Sequence, residues 1–189
     1  MQKINILAIV GSLRKGSYNR QLALAAKEII GDRAAFALLE YEDVPLMNQD
    51  IEFPAPEPVK RVRNAVKSAD GIWFFTPEYN HFFPGVLKNL LDWLSRPISA
   101  SEPQVLAGKP AAISGVTPGM FGTALAQDHL VTLISFLNMK VMNAPRLTIS
   151  YAAQQLDGQG KLALRDSYPY LENQAGAFLD FVRRHMQGK

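Results

Sequence analysis

The chain has 189 residues, of which 48% are hydrophobic and 20% charged, and this predicts one domain with a full core spanning residues 1–189. Thirteen Gly and twelve Pro exclude collagen-like and low-complexity chains. The absence of cysteine excludes disulfide scaffolds, thiolate zinc sites and thiol nucleophiles, so redox chemistry would have to come from a bound cofactor. Twenty basic residues against 17 acidic ones leave a net charge of only +3. The tightest basic groups, Lys60-Arg61-Val62-Arg63 and Arg183-Arg184, read as solvated helix faces, and no nucleic-acid partner is expected. Met1-Gln2-Lys3-Ile4 runs straight into a strand-like stretch without the apolar core of a signal peptide, and no apolar run reaches membrane-spanning length. A cytoplasmic protein with no membrane partner is expected.

In chain order, residues 4–10 form an apolar run rich in Ile and Val and read as a strand. A polar loop over 11–20 follows, then a helix with Leu22, Ala26, Ile29 and Ile30 on one face, with Asn19 as its expected N-cap and Gly31 as its stop. A second strand is expected at 35–39. The next segment, 41–58, holds four prolines and reads as a surface loop before a helix carrying Val59, Val62, Val66 and Ala69. The third strand is 72–75. The loop after it leads to a helix with Pro84 in its first turn and a wide apolar stripe of Val86, Leu87, Leu90, Leu91 and Leu94. Strand 111–116, a helix with Leu130, Leu133, Ile134 and Leu137, strand 141–149, a loop over 151–167 and a helix from Leu171 to Met186 complete the chain.

Strand and helix alternate five times, the pattern of an α/β doubly wound sandwich with a parallel sheet covered on both faces. Five strands suit the flavodoxin-like order 2-1-3-4-5. In that order the loops after strands one and three diverge and leave a crevice at the carboxyl ends, where ligands bind.

The loop Gly11-Ser12-Leu13-Arg14-Lys15-Gly16-Ser17-Tyr18-Asn19-Arg20 combines glycines, hydroxyl and amide donors, an arginine and a helix start, a set suited to a phosphate ester. It has neither the Gly-Lys-Ser/Thr ending of a P-loop nor the Gly-x-Gly-x-x-Gly of a dinucleotide turn. Thr76-Pro77-Glu78-Tyr79-Asn80-His81-Phe82-Phe83-Pro84-Gly85 is proline-braced and offers surface for a flat ring, although a turn with aromatics packed under the sheet fits it equally. Ser114-Gly115-Val116-Thr117-Pro118-Gly119-Met120-Phe121-Gly122-Thr123 supplies a third wall, with Gly119 and Gly122 as positions for positive φ or close approach. His81, His129 and His185 are too scattered for a metal site, and His81 reads as an exposed loop residue rather than a general acid. Glu78 reads as a brace of its own loop. No serine sits in a nucleophile elbow, so the loops form a cradle without a catalytic side-chain set.

These loops, together with Pro45-Leu46, Asn48-Gln49-Asp50-Ile51-Glu52, Pro84-Gly85-Val86-Leu87-Lys88-Asn89, Asp92-Trp93 and Gly108-Lys109-Pro110, resemble the NADPH-dependent FMN reductase family, with bacterial chromate, quinone and azo-dye reductases nearest in appearance. The resemblance implies non-covalent FMN, with Ser12, Arg14, Ser17 and Asn19 around the phosphate. It puts Pro77, Glu78, Tyr79 and Asn80 along the isoalloxazine ring and completes the site with Ser114 and Gly115. It also implies alternate two-step electron transfer, from NADPH or NADH to the flavin and then to a quinone, azo compound, free flavin or metal oxyanion. A homodimer or homotetramer is implied too, which the wide stripe of the third helix and Phe82 and Phe83 would serve. Two departures stand out: Leu125 occupies the place of a frequent family arginine, and Phe82 that of a small residue. The competing readings are a flavodoxin-type FMN carrier serving a protein partner, against which the basic balance and the serine-arginine loop speak, and a receiver-like signalling domain. The latter would need acidic residues where Ser12, Arg14 and Pro77 stand.

Overall fold

The computed structural model describes residues 3–97, 99 and 102–186, so Met1 and Gln2 of the amino-terminal run lie outside the described residues. Strands and helices follow in the order β1 (Ile4–Val10), α1 (Tyr18–Ile30), β2 (Ala34–Leu38), α2 (Glu57–Ser68), β3 (Gly71–Phe75), α3 (Gly85–Leu94), β4 (Pro110–Val116), α4 (Ala124–Phe136), β5 (Lys140–Val141), β6 (Leu147–Ile149) and α5 (Tyr168–Met186). The sheet runs β2-β1-β3-β4-β5 with every pairing parallel, and β6 also pairs with β4. This is the flavodoxin-like doubly wound order.

Side chains alternate across the sheet and divide the core in two. Ile6, Ala8, Val10, Trp73, Phe75, Ala112 and Val116 face α1 and α5. Leu7, Ile9, Ile72, Phe74, Ala111 and Ile113 face α2, α3 and α4. Every residue of β3 and β4 is buried, as continuous apolar strands covered on both faces require.

The fifth sheet position departs from the single strand expected at 141–149. Val141 pairs with Ala111, but Leu147 pairs with Ser114, where an unbroken strand would bring residue 144. Pro145 sits in the interruption and has no N–H to give to a ladder. The side chain of Gln174 from α5 replaces the lost pairing: Nε2 donates to the Ile113 carbonyl at 2.8 Å and to the Pro145 carbonyl at 3.0 Å. Its Oε1 accepts from Ser114 Oγ at 2.6 Å, and Ser114 Oγ accepts from Trp73 Nε1 at 2.8 Å. This buried polar chain is fully bonded, as its burial demands.

The helix ends also refine the expectations. The N-cap of α1 is Ser17, whose Oγ accepts from the Arg20 N–H at 3.3 Å, and Asn19 lies inside the first turn. Pro84 is the N-cap residue of α3 rather than part of its first turn. The stripe of α3 is covered by the chain itself: Leu87, Leu90, Leu91, Leu94 and Phe83 are buried, while Val86 and Phe82 stay exposed. Arg63 of the Lys60–Arg63 run is buried, not solvated.

The first residue of β3 is Gly71, where a Cβ would lie 2.6 Å from Val182 Cγ2 and 3.1 Å from Phe178 Cζ on α5. Gly71→Ala is therefore expected to destabilise the protein by about 1–3 kcal/mol through overpacking. Urea denaturation reads this as a lowered midpoint, and an unchanged midpoint would contradict the packing described.

Candidate active site

The crevice at the carboxyl ends of β1, β3 and β4 is a cavity of about 210 Å³ lined by Ser12, Arg14, Ser17, Tyr18, Asn19, Pro77, Glu78, Tyr79, Val116, Thr117 and Pro118. Seven of the ten expected site residues meet there: Ser12, Arg14, Ser17, Asn19, Pro77, Glu78 and Tyr79. Asn80, Ser114 and Gly115 do not line it. A larger cavity of about 390 Å³ shares Ser12 and Arg14 with it and extends over Lys15, Arg20 and Glu40 to Tyr41.

The floor is a set of backbone bonds between neighbouring strand ends. The Gly11 N–H donates to the Phe75 carbonyl at 2.8 Å, and the Thr76 N–H to the Ser114 carbonyl at 2.9 Å. Asn19 then spans the seam. Its Nδ2 donates to the Val116 carbonyl at 2.9 Å, and its Oδ1 accepts from the Val116 N–H at 3.0 Å. Asn19 is only 3% exposed and both of its polar atoms are engaged, so its side chain positions the walls. Gly115 has a similar part: a Cβ there would stand 2.4 Å from the Thr76 carbonyl oxygen and 2.2 Å from Thr123 Oγ1, so only glycine lets these loops close.

One end of the crevice is built by the start of α1. Its first N–H groups have no intrahelical acceptor and carry the positive end of the helix dipole. The Ser17 hydroxyl accepts from Arg20 and keeps its proton for a ligand. Arg20 itself is bound to Glu40, Nη2 to Oε1 at 2.7 Å, which holds its guanidinium above the usual value. Arg14 is exposed, lies over the Tyr18 ring at 5.3 Å, and has no acidic partner among the described residues. A free cation, two hydroxyls and a helix N-terminus converging on one crevice fit a phosphate monoester.

The opposite wall is a tight hairpin. Tyr79 and Phe82 exchange backbone bonds of 2.9 and 3.0 Å around Asn80 and His81, whose φ values of 52° and 62° are those of a type I′ turn. Asn80 therefore serves the turn at the tip, outside the crevice. Glu78 braces more than its own loop: Oε2 accepts the Ala126 N–H at 3.0 Å, which caps α4 where Thr123 supplies no side-chain cap, and Oε1 is 3.5 Å from His81 Nδ1. Ser114 points away from the crevice into the bonded chain beneath α5. Gly122 has φ of 60° and its close neighbour is Ser150; Gly119 has no close neighbour.

Val116, Tyr18, Thr117 and Pro118 also line the crevice; they lie in the loops the sequence marks but were not singled out there. Thr117-Pro118 follows β4 as Thr76-Pro77 follows β3. Pro77, Tyr79, Thr117 and Pro118 give a slot with apolar walls and polar edges that suits a planar heteroaromatic ring. Behind the site, Asn89 Nδ2 and Trp93 Nε1 of α3 both donate to the Pro45 carbonyl, at 2.9 and 2.8 Å, and Asn89 Oδ1 accepts the Met47 N–H at 2.7 Å. The Pro45-Leu46 and Asn89…Trp93 motifs thus pin the loop after β2 onto α3. Tyr41 in the same loop donates to the Val10 carbonyl at 2.6 Å, and burial pushes its phenol well above the usual value.

Comparison with known proteins agrees with this geometry. The model of the NADPH-dependent FMN reductase family matches residues 4–154. A 2-hydroxy-1,4-benzoquinone reductase from Burkholderia sp is 37% identical over 180 residues, covering 95% of this chain and 97% of that protein. An NAD(P)H-dependent FMN reductase from Pseudomonas aeruginosa is 40% identical over 182 residues, covering 96% of each. Among solved structures, the flavoenzyme NAD(P)H:(acceptor) oxidoreductase of Paracoccus denitrificans superposes with a TM-score of 0.87 at 33% identity, covering 96% of this chain and 98% of that one. The crevice, its loops and these matches lead to one statement: the chain belongs to the NADPH-dependent FMN reductase family.

Proposed function

We propose that the crevice holds FMN with its phosphate on Ser12, Arg14, Ser17 and the first turn of α1, and its ring between Pro77–Tyr79 and Thr117–Pro118, in an enzyme that reduces quinones with NADPH or NADH. The observation that carries this reading is the unpaired Arg14 beside the Ser17-capped start of α1 at the seam of the sheet. Residues 1–189 act as one FMN-binding domain.

When bound, FMN supplies the electron relay, taking a hydride equivalent from reduced nicotinamide and yielding electrons to an acceptor in a separate step. The protein's part is to bind and orient. Arg14 and α1 neutralise the phosphate, Pro77 and Pro118 hold ring surface at little ordering cost, and Asn19 keeps the two walls at fixed separation. No side chain has to serve as nucleophile, in line with the absence of a triad or metal-ligand spacing in the loops. Two relatives are named quinone and FMN reductases, which supports quinones first among the acceptors; azo compounds, free flavin and chromate share the need for an exposed ring. The flavodoxin-type carrier is disfavoured, since the family is one of reductases.

The working form is a homodimer or homotetramer. Phe82, Met120, Phe121 and Leu125 are exposed around the hairpin and the start of α4, with Phe82 stacked on His129 at 4.4 Å and His81 edge-on to Phe121 at 5.6 Å. Such an apolar rim beside a ligand crevice is what a second copy would cover. No described helix is long and apolar enough to cross a membrane, and we place the enzyme in the cytoplasm.

Three measurements test this function. Arg14→Ala is expected to weaken FMN binding by about 1.5–3 kcal/mol while leaving the urea midpoint of the apoprotein unchanged. Asn19→Ala should instead lower apoprotein stability by about 1–3 kcal/mol, because the Val116 N–H and carbonyl are left buried and unbonded. Equal FMN affinity in Arg14→Ala would contradict the phosphate assignment. In an anaerobic mixing experiment, NADPH should bleach the visible absorbance of the FMN-loaded protein within seconds and a benzoquinone should restore it; a flavin band that persists would exclude the reductase.

A further inference from the structure

The basic run at the start of α2 divides into two kinds of residue. Arg61 reaches outward, with Nη1 donating to the Glu40 carbonyl at 2.7 Å and Nη2 paired with Asp43. Arg63 is 3% exposed. Its Nη2 donates to the Trp93 carbonyl at 3.2 Å, and its Nε is buried with no hydrogen-bond partner. Glu52, a buried carboxylate on this side, has its oxygens on Arg96, at 2.7 and 3.3 Å. Burial pulls the Arg63 guanidinium below its usual value, while Glu52 and Glu102 pull the other way. Arg63 is thus a buried cation near two carboxylates and hydrogen-bonded to neither, a costly state for a charge removed from water.

Beside it lies a cavity of about 390 Å³. Lys60, Arg63, Asn64 and Lys67 line it from one face of α2, at the three- and four-residue spacing that aligns side chains on a helix. Phe53, 59% exposed, and Pro54 add apolar surface. Glu102 also lines the cavity and pairs with Lys67, while Lys60 pairs with Glu57 at 2.6 Å. The cavity shares no lining residue with the FMN crevice.

We propose that this cavity is a second ligand site, which binds a small organic carboxylate with a flat apolar body. The carboxylate meets the planar guanidinium fork of Arg63, supported by Lys60, and the body lies on Phe53 and Pro54. A monoanion fits better than a phosphate dianion because Glu52 and Glu102 stand within electrostatic range of the same guanidinium. The site does not depend on the assignment of the crevice.

The test titrates the nitrogen-15-labelled full chain, with and without added FMN, with sodium benzoate, benzamide and sodium acetate, and follows backbone amides and the Arg63 Nε–H by NMR. Benzoate is expected to give saturating shifts at Arg63, Asn64 and Lys67, with benzamide and acetate each binding about tenfold more weakly or less tightly still. Arg63→Met should weaken benzoate about tenfold or more, and Lys60→Gln, at an exposed position that does not threaten folding, about two- to fivefold. Benzamide binding as tightly as benzoate would overturn the proposal. So would shifts that never saturate or that map to Ser12, Ser17 and Thr117, or Lys60→Gln binding benzoate like the unaltered chain.

Discussion

The amide of Asn19 holds the crevice in shape. Pairing between β3 and β4 runs out at Phe75 and Ser114, two residues before β4 ends, so Val116 projects beyond its neighbour. Asn19 takes the place of the missing strand and bonds both the N–H and the carbonyl of Val116. One side chain thereby ties the first turn of α1 to the end of β4 across β3. The start of α1, the Ser17 cap and the loop carrying Ser12 and Arg14 take their places relative to Thr117 and Pro118 from this clasp. A buried amide with both ends bonded is also directional, and this fixes the separation of the two walls rather than merely drawing them together.

The other polar residues around the crevice follow the same logic of bracing. Glu78 uses one carboxylate oxygen to cap α4, Asn80 and His81 supply the two left-handed positions of a tight hairpin, and Asn89 and Trp93 hold the loop after β2 against α3. Such a site is braced by hydrogen bonds and presents few reactive side chains. That is the economy of a flavoenzyme, in which the cofactor carries the electrons and the protein supplies shape, charge neutralisation and access. Leu125 and Phe82 both lie on the exposed apolar rim, outside the crevice lining.

The fold was legible because its signals are periodic and local. Alternating apolar runs and helical stripes gave the element order, and five strands with helical crossovers leave few topologies besides 2-1-3-4-5. The split of the fifth strand was announced by Pro145, but the run of apolar residues on either side masked it, and the repair by Gln174 comes from a helix far along the chain. Seven of the ten residues expected at the site line the crevice because loops after β1 and β3 must border the seam. Ser114 escaped this reasoning because strand parity sends its side chain under α5. Asn19 lines the crevice but is not the N-cap expected of it, and its bonding to Val116 depends on a contact between residues distant in sequence. The burial of Arg63 was hidden for the same reason: a Lys-Arg-Val-Arg run looks solvated until α3 supplies the Trp93 carbonyl that covers it.

The proposed grip on FMN turns on where the phosphate of the cofactor sits. A crystal structure of the protein with FMN should show phosphate oxygens within hydrogen-bond distance of the Ser12 and Ser17 hydroxyls, the first N–H groups of α1 and the Arg14 guanidinium, with the Asn19–Val116 bonds intact. FMN bound outside this crevice, or with its phosphate turned away from α1, would contradict it.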